Sequence, residues 1–126
     1  MIDRKVRSKY GAVKTQVDGI TFASLAEAAR YRELKLLERA GQIDSLELQP
    51  VYELAPSVKY SGAARAKPAL RYIADFRYRD HHGKLIVNDV KGKTTEAYII
   101  KKHLMMAIHG IEILETGRAK RSSRSA

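Results

Sequence analysis

The chain has 126 residues, 44% hydrophobic and 30% charged, with no cysteine and a formal net charge of +10. That is room for one domain with a real core, too short for a two-domain enzyme and too apolar for a wholly disordered protein. The absence of cysteine removes disulfide scaffolds, zinc ribbons and thiol catalysis together, and no run approaches the roughly 18 apolar residues of a membrane span.

The positive charge gathers at the two ends. Residues 1–16 hold Arg4, Lys5, Arg7, Lys9 and Lys14 against Asp3, and residues 118–126 hold Arg118, Lys120, Arg121 and Arg124 with no acid. A near-neutral body with basic arms suits a polyanion, because each cation set against a phosphate releases condensed counterions. Nucleic acid is therefore the expected partner, and a membrane is not. The stretch MIDRKVRSKYGAVK lacks the apolar core of a signal peptide, which predicts a cytoplasmic protein. The expected organisation is a basic arm over 1–18, a single domain over 19–116 and a basic disordered tail over 117–126.

In chain order, Ser24-Leu25-Ala26-Glu27 has the form of a capping box, and helix formers follow to Ala40 before Gly41. Phe22, Leu25, Ala26, Ala29, Leu36, Leu37 and Ala40 share an arc of about 120°, predicting the packed face; Glu33 falls inside it without explanation. Leu46 to Leu54 alternates imperfectly around Pro50, predicting a strand with a kink or bulge. Ala55 to Ala69, with two prolines and Gly62, predicts a loop.

Arg71–Arg79 and Lys84–Lys91 alternate as strands around Asp80-His81-His82-Gly83, the clearest hairpin in the chain. With Gly83 left-handed, Asp80 pairs with Lys84, facing residue numbers sum to 164, and Asp75 lies opposite Asp89. Thr94 or Thr95 then caps a second helix in which Ala97, Ile100, Leu104, Ala107 and Ile108 recur before Gly110, and Ile111–Leu114 predicts a last strand. The order predicts a mixed α/β layer built around a sheet.

Asp75, amid Tyr72, Ile73, Ala74 and Phe76, is costly to bury without a partner or cation. Opposed carboxylates repel, and a shared proton or a divalent cation relieves them. Oxygen donors suit Mg²⁺, which completes its octahedron with water and substrate phosphate, and Mn²⁺ accepts the same ligands. Lys91 shares the face of Asp89, where it can hold a phosphate oxygen or help deprotonate an attacking water.

Asp75 followed by Asp89-Val90-Lys91, on neighbouring strands between two helices, resembles the PD-(D/E)XK nuclease superfamily. That superfamily has the restriction-endonuclease-like αβββαβ core, a mixed central sheet flanked by helices. Its first acid matches Asp75, with Ala74 where the superfamily has proline, and its (D/E)-x-K matches Asp89-x-Lys91. Ser24-x-x-Glu27 and Gln49-Pro50 are similar to the Ser-x-x-Glu and Gln-Pro elements of small phage-type and transposon-end nucleases of this superfamily. The resemblance implies a Mg²⁺-dependent endonuclease hydrolysing DNA phosphodiester bonds. Asp75, Asp89 and Glu27 would be the metal ligands, Lys91 would act on water or phosphate, and Gln49 would orient the site. For a phage-encoded chain the compartment would be the host cytoplasm.

Bland readings stand beside these. Glu27 completes a capping box, and Asp89 with Lys91 is also an ordinary ion pair. His81 and His82 occupy a turn, His103 and His109 do not share a helical face, and Met105-Met106 reads as core. Lys101 and Lys102 lie beside the expected site as candidate phosphate contacts. Arg65 and Lys67, in the segment Gly62–Pro68, are candidates on a loop that reaches into DNA, whereas the strand tyrosines are expected to pack. So small a chain leaves little surface for base readout, which favours structure-selective cutting and a second copy in a homodimer. Two alternatives remain: a Holliday-junction resolvase-type nuclease, and a non-catalytic DNA-binding module on the same fold.

Overall fold

The computed structural model describes residues 6–7 and 13–117. The basic tail from Arg118 and most of the basic N-terminal arm lie outside the described residues. The structure is mixed α/β, with two helices and a mixed central sheet. No helix among the described residues is long and apolar enough to cross a membrane.

Three short strands come first: β1 (Val6–Arg7), β2 (Val13–Val17) and β3 (Ile20–Phe22), joined as an antiparallel sheet in the order β1-β2-β3. The arm expected over residues 1–18 is thus partly sheet. Its turn was readable: Asp18 and Gly19 both have positive φ, and Val17 pairs with Ile20. This is the two-residue Asp-Gly hairpin, whose tight turn requires φ > 0 at both central positions.

Helix α1 (Leu25–Arg39) begins with half of the expected capping box, Ser24 Oγ accepting the Glu27 N–H at 3.1 Å, while Glu27 Oε1 reaches one residue past the cap to accept the Ala23 N–H at 3.3 Å. Its packed face, however, is the opposite one from that expected. Ala28, Tyr31 and Leu34 are buried, whereas Leu36 is 60% exposed and Leu25 49%. The large Tyr31 and Leu34 decide which side meets the sheet, and of the expected arc Phe22 is buried while Ala26 and Leu37 pack at the edge of the core. Glu33 is thereby explained: it faces solvent and pairs with Arg30 at 2.9 Å.

The central sheet has the order β4-β7-β8-β9, with β4 (Asp44–Leu48), β7 (Phe76–Arg79), β8 (Leu85–Lys91) and β9 (Leu114–Gly117); only β8 and β9 are parallel. A separate ladder joins β5 (Val51–Ala55) to β6 (Leu70–Ile73). These are continuations of β4 and β7 across a shared break. Gln49 adopts φ 53° before Pro50, which has no N–H to give a ladder. Across the break the Gln49 N–H donates to the Asp75 carbonyl at 3.0 Å and the Ala74 N–H to the Pro50 carbonyl at 3.1 Å. The kink expected at Pro50 is therefore matched by one at Ala74-Asp75 in the neighbouring strand.

The β7–β8 hairpin has the expected register: Phe76 pairs with Asn88, Arg77 with Val87 and Arg79 with Leu85, and Gly83 has φ 79°. Helix α2 (Glu96–His109) is capped by Thr95 and closed by Gly110 at φ 67°. It buries Tyr98 and Met105, while Ile100 and Ile108 of the expected stripe, and Met106, are exposed. The last strand starts at Leu114 rather than Ile111, because the Ile111 N–H turns back to the Met105 carbonyl and Ile113 enters the core. Two cores result. Phe22, Ala28, Tyr31, Leu34, Phe76 and Tyr78 pack between α1 and one face of the sheet; Leu54, Tyr72, Val87, Tyr98, Met105 and Ile113 pack under α2 on the other.

Candidate functional site

Alternation along β8 sends Asn88 and Val90 toward α1, and Val87, Asp89 and Lys91 toward α2. An unbroken sheet would keep residues on its two faces apart. At the break the regular β7–β8 pairing stops, and Asp75 instead donates its N–H to the Asn88 carbonyl at 3.2 Å. Its side chain accepts the Val90 N–H at 2.7 Å and lies within hydrogen-bonding reach of the Asp89 carboxyl. Asp75 and Asp89 do meet, although a turned backbone rather than a continued ladder brings them together.

Burial, reinforced by the hydrogen bond to Asp89, pushes the Asp75 carboxyl up to about 8. Asp89 is itself buried, accepts a 2.6 Å hydrogen bond from the Tyr72 hydroxyl, and has the Lys91 ammonium 3.4 Å from the same oxygen. Burial, followed by the bond to Asp89, raises the Tyr72 hydroxyl and keeps it a donor. Lys91 rests 3.7 Å over the ring of Tyr98, a cation–π contact that steers its amine back over the acids. The Tyr98 hydroxyl donates to Glu115 at 2.6 Å. Beneath Lys91, a Cβ on Gly117 would sit 2.6 Å from the Lys91 carbonyl oxygen, so only glycine permits this strand spacing.

These groups open into a cleft of about 410 Å³ that Glu27, Asp75, Asp89, Lys91, Arg71 and Lys101 help to line. Glu27 and Asp75 also line a second cleft, of about 490 Å³, on the side of Lys14 and Gln49. The four residues Glu27, Asp75, Asp89 and Lys91 are therefore gathered at one place. Gln49 belongs to the neighbouring cleft. Lys101 reaches the first cleft, whereas Lys102 pairs with Glu115 at 2.9 Å, and Arg65 and Lys67 stand exposed on the β5–β6 connection.

Among the described residues no three His, Cys, Asp or Glu side chains are drawn together as a metal site. The donor chemistry nonetheless suits a hard cation. Two carboxyls share one buried place, and Mg²⁺ is commonly held by one or two carboxylates with substrate phosphate completing the shell. Glu27 faces the cleft while its carboxylate still caps α1.

Sequence reading missed the supports. Tyr98, three residues after the Thr95 cap, stands on the same helical face as Lys101 and Met105, a spacing that could have singled it out. Tyr72 and Asn88 carried no local signal, because their partners are remote in the chain.

Neither the curated proteins nor the solved structures include a match to this chain. A family model described as "Protein of unknown function (DUF1064)" matches residues 7–119. The match takes in both helices and every strand but the first residue of β1, so the chain belongs to that family.

Proposed function

We infer that this chain is a metal-dependent DNA endonuclease of the PD-(D/E)XK type. The observation that carries the reading is the meeting of Asp75 and Asp89 at the strand break, with Lys91 3.4 Å from Asp89, in an open cleft. Two further features support it. The elements from α1 onward follow the αβββαβ order once each kinked pair is counted as one strand, and the cleft also carries Arg71 and Lys101 for phosphate.

Asp75 and Asp89 would hold Mg²⁺ or Mn²⁺, with Glu27 as an accessory acid. Such a cation lowers the pKa of bound water and neutralises charge building on a phosphate. The chain's own groups do the rest. Lys91 offers an ammonium to a phosphate oxygen, Tyr98 and Asp89 hold that ammonium in place, and Tyr72 fixes the orientation of the Asp89 carboxylate. Arg71 and Lys101 set the backbone of the strand along the cleft.

The engagement of the Glu27 carboxylate in capping α1 favours one rival, a DNA-binding module without catalysis. A cleavage assay on supercoiled plasmid, linear duplex and a synthetic four-way junction separates the two. Cutting in Mg²⁺, none in EDTA, and none by Asp89→Ala is the expected result. Preference for the junction would select a resolvase. No cutting of any substrate, with DNA binding intact in both proteins, would overturn the nuclease reading in favour of the binding module.

A further inference from the structure

The connection between β5 and β6 is a built finger. Val58 and Lys67 form a bridge, each N–H donating to the other's carbonyl, at 3.1 and 2.6 Å. The tip closes through the Ala63 N–H to the Tyr60 carbonyl at 3.0 Å, with Gly62 at φ 80° in the turn position that requires a left-handed residue. This structure holds Tyr60 at the tip, 64% exposed. From Pro56 to Ile73 the chain carries Lys59, Arg65, Lys67 and Arg71 and no acid. Arg71 and Ile73, at the base, line the cleft that holds Asp75 and Asp89. A strip of cations thus runs from an exposed aromatic ring to the acid pair.

A cationic track beside an exposed aromatic ring is how single-stranded nucleic acid is gripped, since every base offers a face for stacking once it is unpaired. Regular duplex offers the track its phosphates but hides the base faces. We propose that the finger binds unpaired DNA, with Tyr60 stacked on a base and Lys59, Arg65 and Lys67 along the backbone, and leads that strand into the cleft. The proposal rests on the reading that the cleft takes DNA, and it narrows the substrate to DNA with an unpaired segment beside the cut.

The chain contains no tryptophan, so Tyr60→Trp introduces a single indole at the tip. Titration in EDTA with a 20-nucleotide DNA single strand should quench its fluorescence, and a 20-base-pair duplex should not. Tyr60→Ala should weaken single-strand binding by roughly 5- to 150-fold, and Tyr60→Phe should bind as the native chain does. Absence of quenching, native affinity in Tyr60→Ala, equal response to duplex, or a stronger response to an RNA 20-mer would each overturn the proposal. Circular dichroism on each variant checks that the fold is intact. Binding in EDTA requires no cleavage, so the two readings fail separately. Quenching without cutting would leave the finger standing and remove the nuclease, whereas cutting without quenching would do the reverse.

Discussion

Asn88 and Asp89 are consecutive and both buried, yet the two faces of β8 treat them in opposite ways. On the α1 side, Asn88 is fully satisfied. Its Oδ1 accepts from Arg30 Nε at 2.8 Å, and its Nδ2 donates to the Leu114 carbonyl at 3.0 Å and to Thr116 Oγ1 at 3.1 Å. Arg30 goes on to Tyr78 and to the exposed Glu33, so each of its nitrogens has a partner. On the α2 side, Asp89 lies beside another carboxyl in an open cleft, and its donors, Tyr72 and Lys91, meet only part of its capacity. A satisfied network locks a fold, whereas a buried acid set against a second carboxyl perturbs its titration and leaves room for a ligand. The difference separates a residue that holds the sheet to its helix from one available to chemistry.

The contrast breaks if Asp89 proves structural or Asn88 dispensable. Asp89→Ala should lower Mg²⁺-dependent cutting at least ~10³-fold, the loss of several kcal/mol of transition-state stabilisation. Its urea midpoint in EDTA should fall modestly, since the buried Tyr72 hydroxyl loses its acceptor and Asp75 its hydrogen-bond partner. Asn88→Leu should cost more stability. By stranding Arg30 Nε and opening the tie to β9, it should cost about 2–4 kcal/mol in urea denaturation.

Asp75 gives the pH arm of the same test. Its folded pKa lies above its unfolded value, so the folded chain binds the extra proton. Stability in EDTA should therefore be full below the ordinary carboxylate range, fall as pH rises toward about 8, and level off above it. Urea midpoints at pH 5, 7 and 9 read this slope, and Asp75→Asn should flatten it. The smallest effect belongs to the outer face of α1. Leu36→Gln should change stability by no more than about 0.5 kcal/mol, and a larger loss in thermal melts would mean that the exposed arc is covered.

Much of this was legible from local chemistry. The caps at Ser24 and Thr95, the Gly83 turn and the register it sets all depend on residues a few positions apart, and the register pointed to Asp75 near Asp89. Kinking at Pro50 was legible too, for proline removes a ladder donor wherever it stands. What failed was anything decided by the rest of the molecule. The apolar arcs of both helices met the cores only at their edges, through Ala26, Leu37 and Leu104, because alanines, leucines and isoleucines repeat at helical spacing on exposed faces as well. Tyr31, Leu34 and Met105 took the core by size and fit. The Asp18-Gly19 turn is a plain hairpin signal, and it falls across the boundary expected between the basic arm and the domain.

The bond between Arg30 and Asn88 spans 58 positions and joins the helix that carries Glu27 to the strand that carries Asp89 and Lys91. Contacts of such long separation form late, because the intervening loop must close first. During synthesis α1 and the β5–β6 hairpin emerge before β8 exists; α1 can already pack Tyr31 on Phe22, but its polar tie through Arg30 waits for that strand. A partly translated or truncated chain therefore carries Glu27 and Asp75 without their counterparts. If the cleft cuts DNA, a chain that ends before β8 lacks Asp89 and Lys91 and is inert by construction.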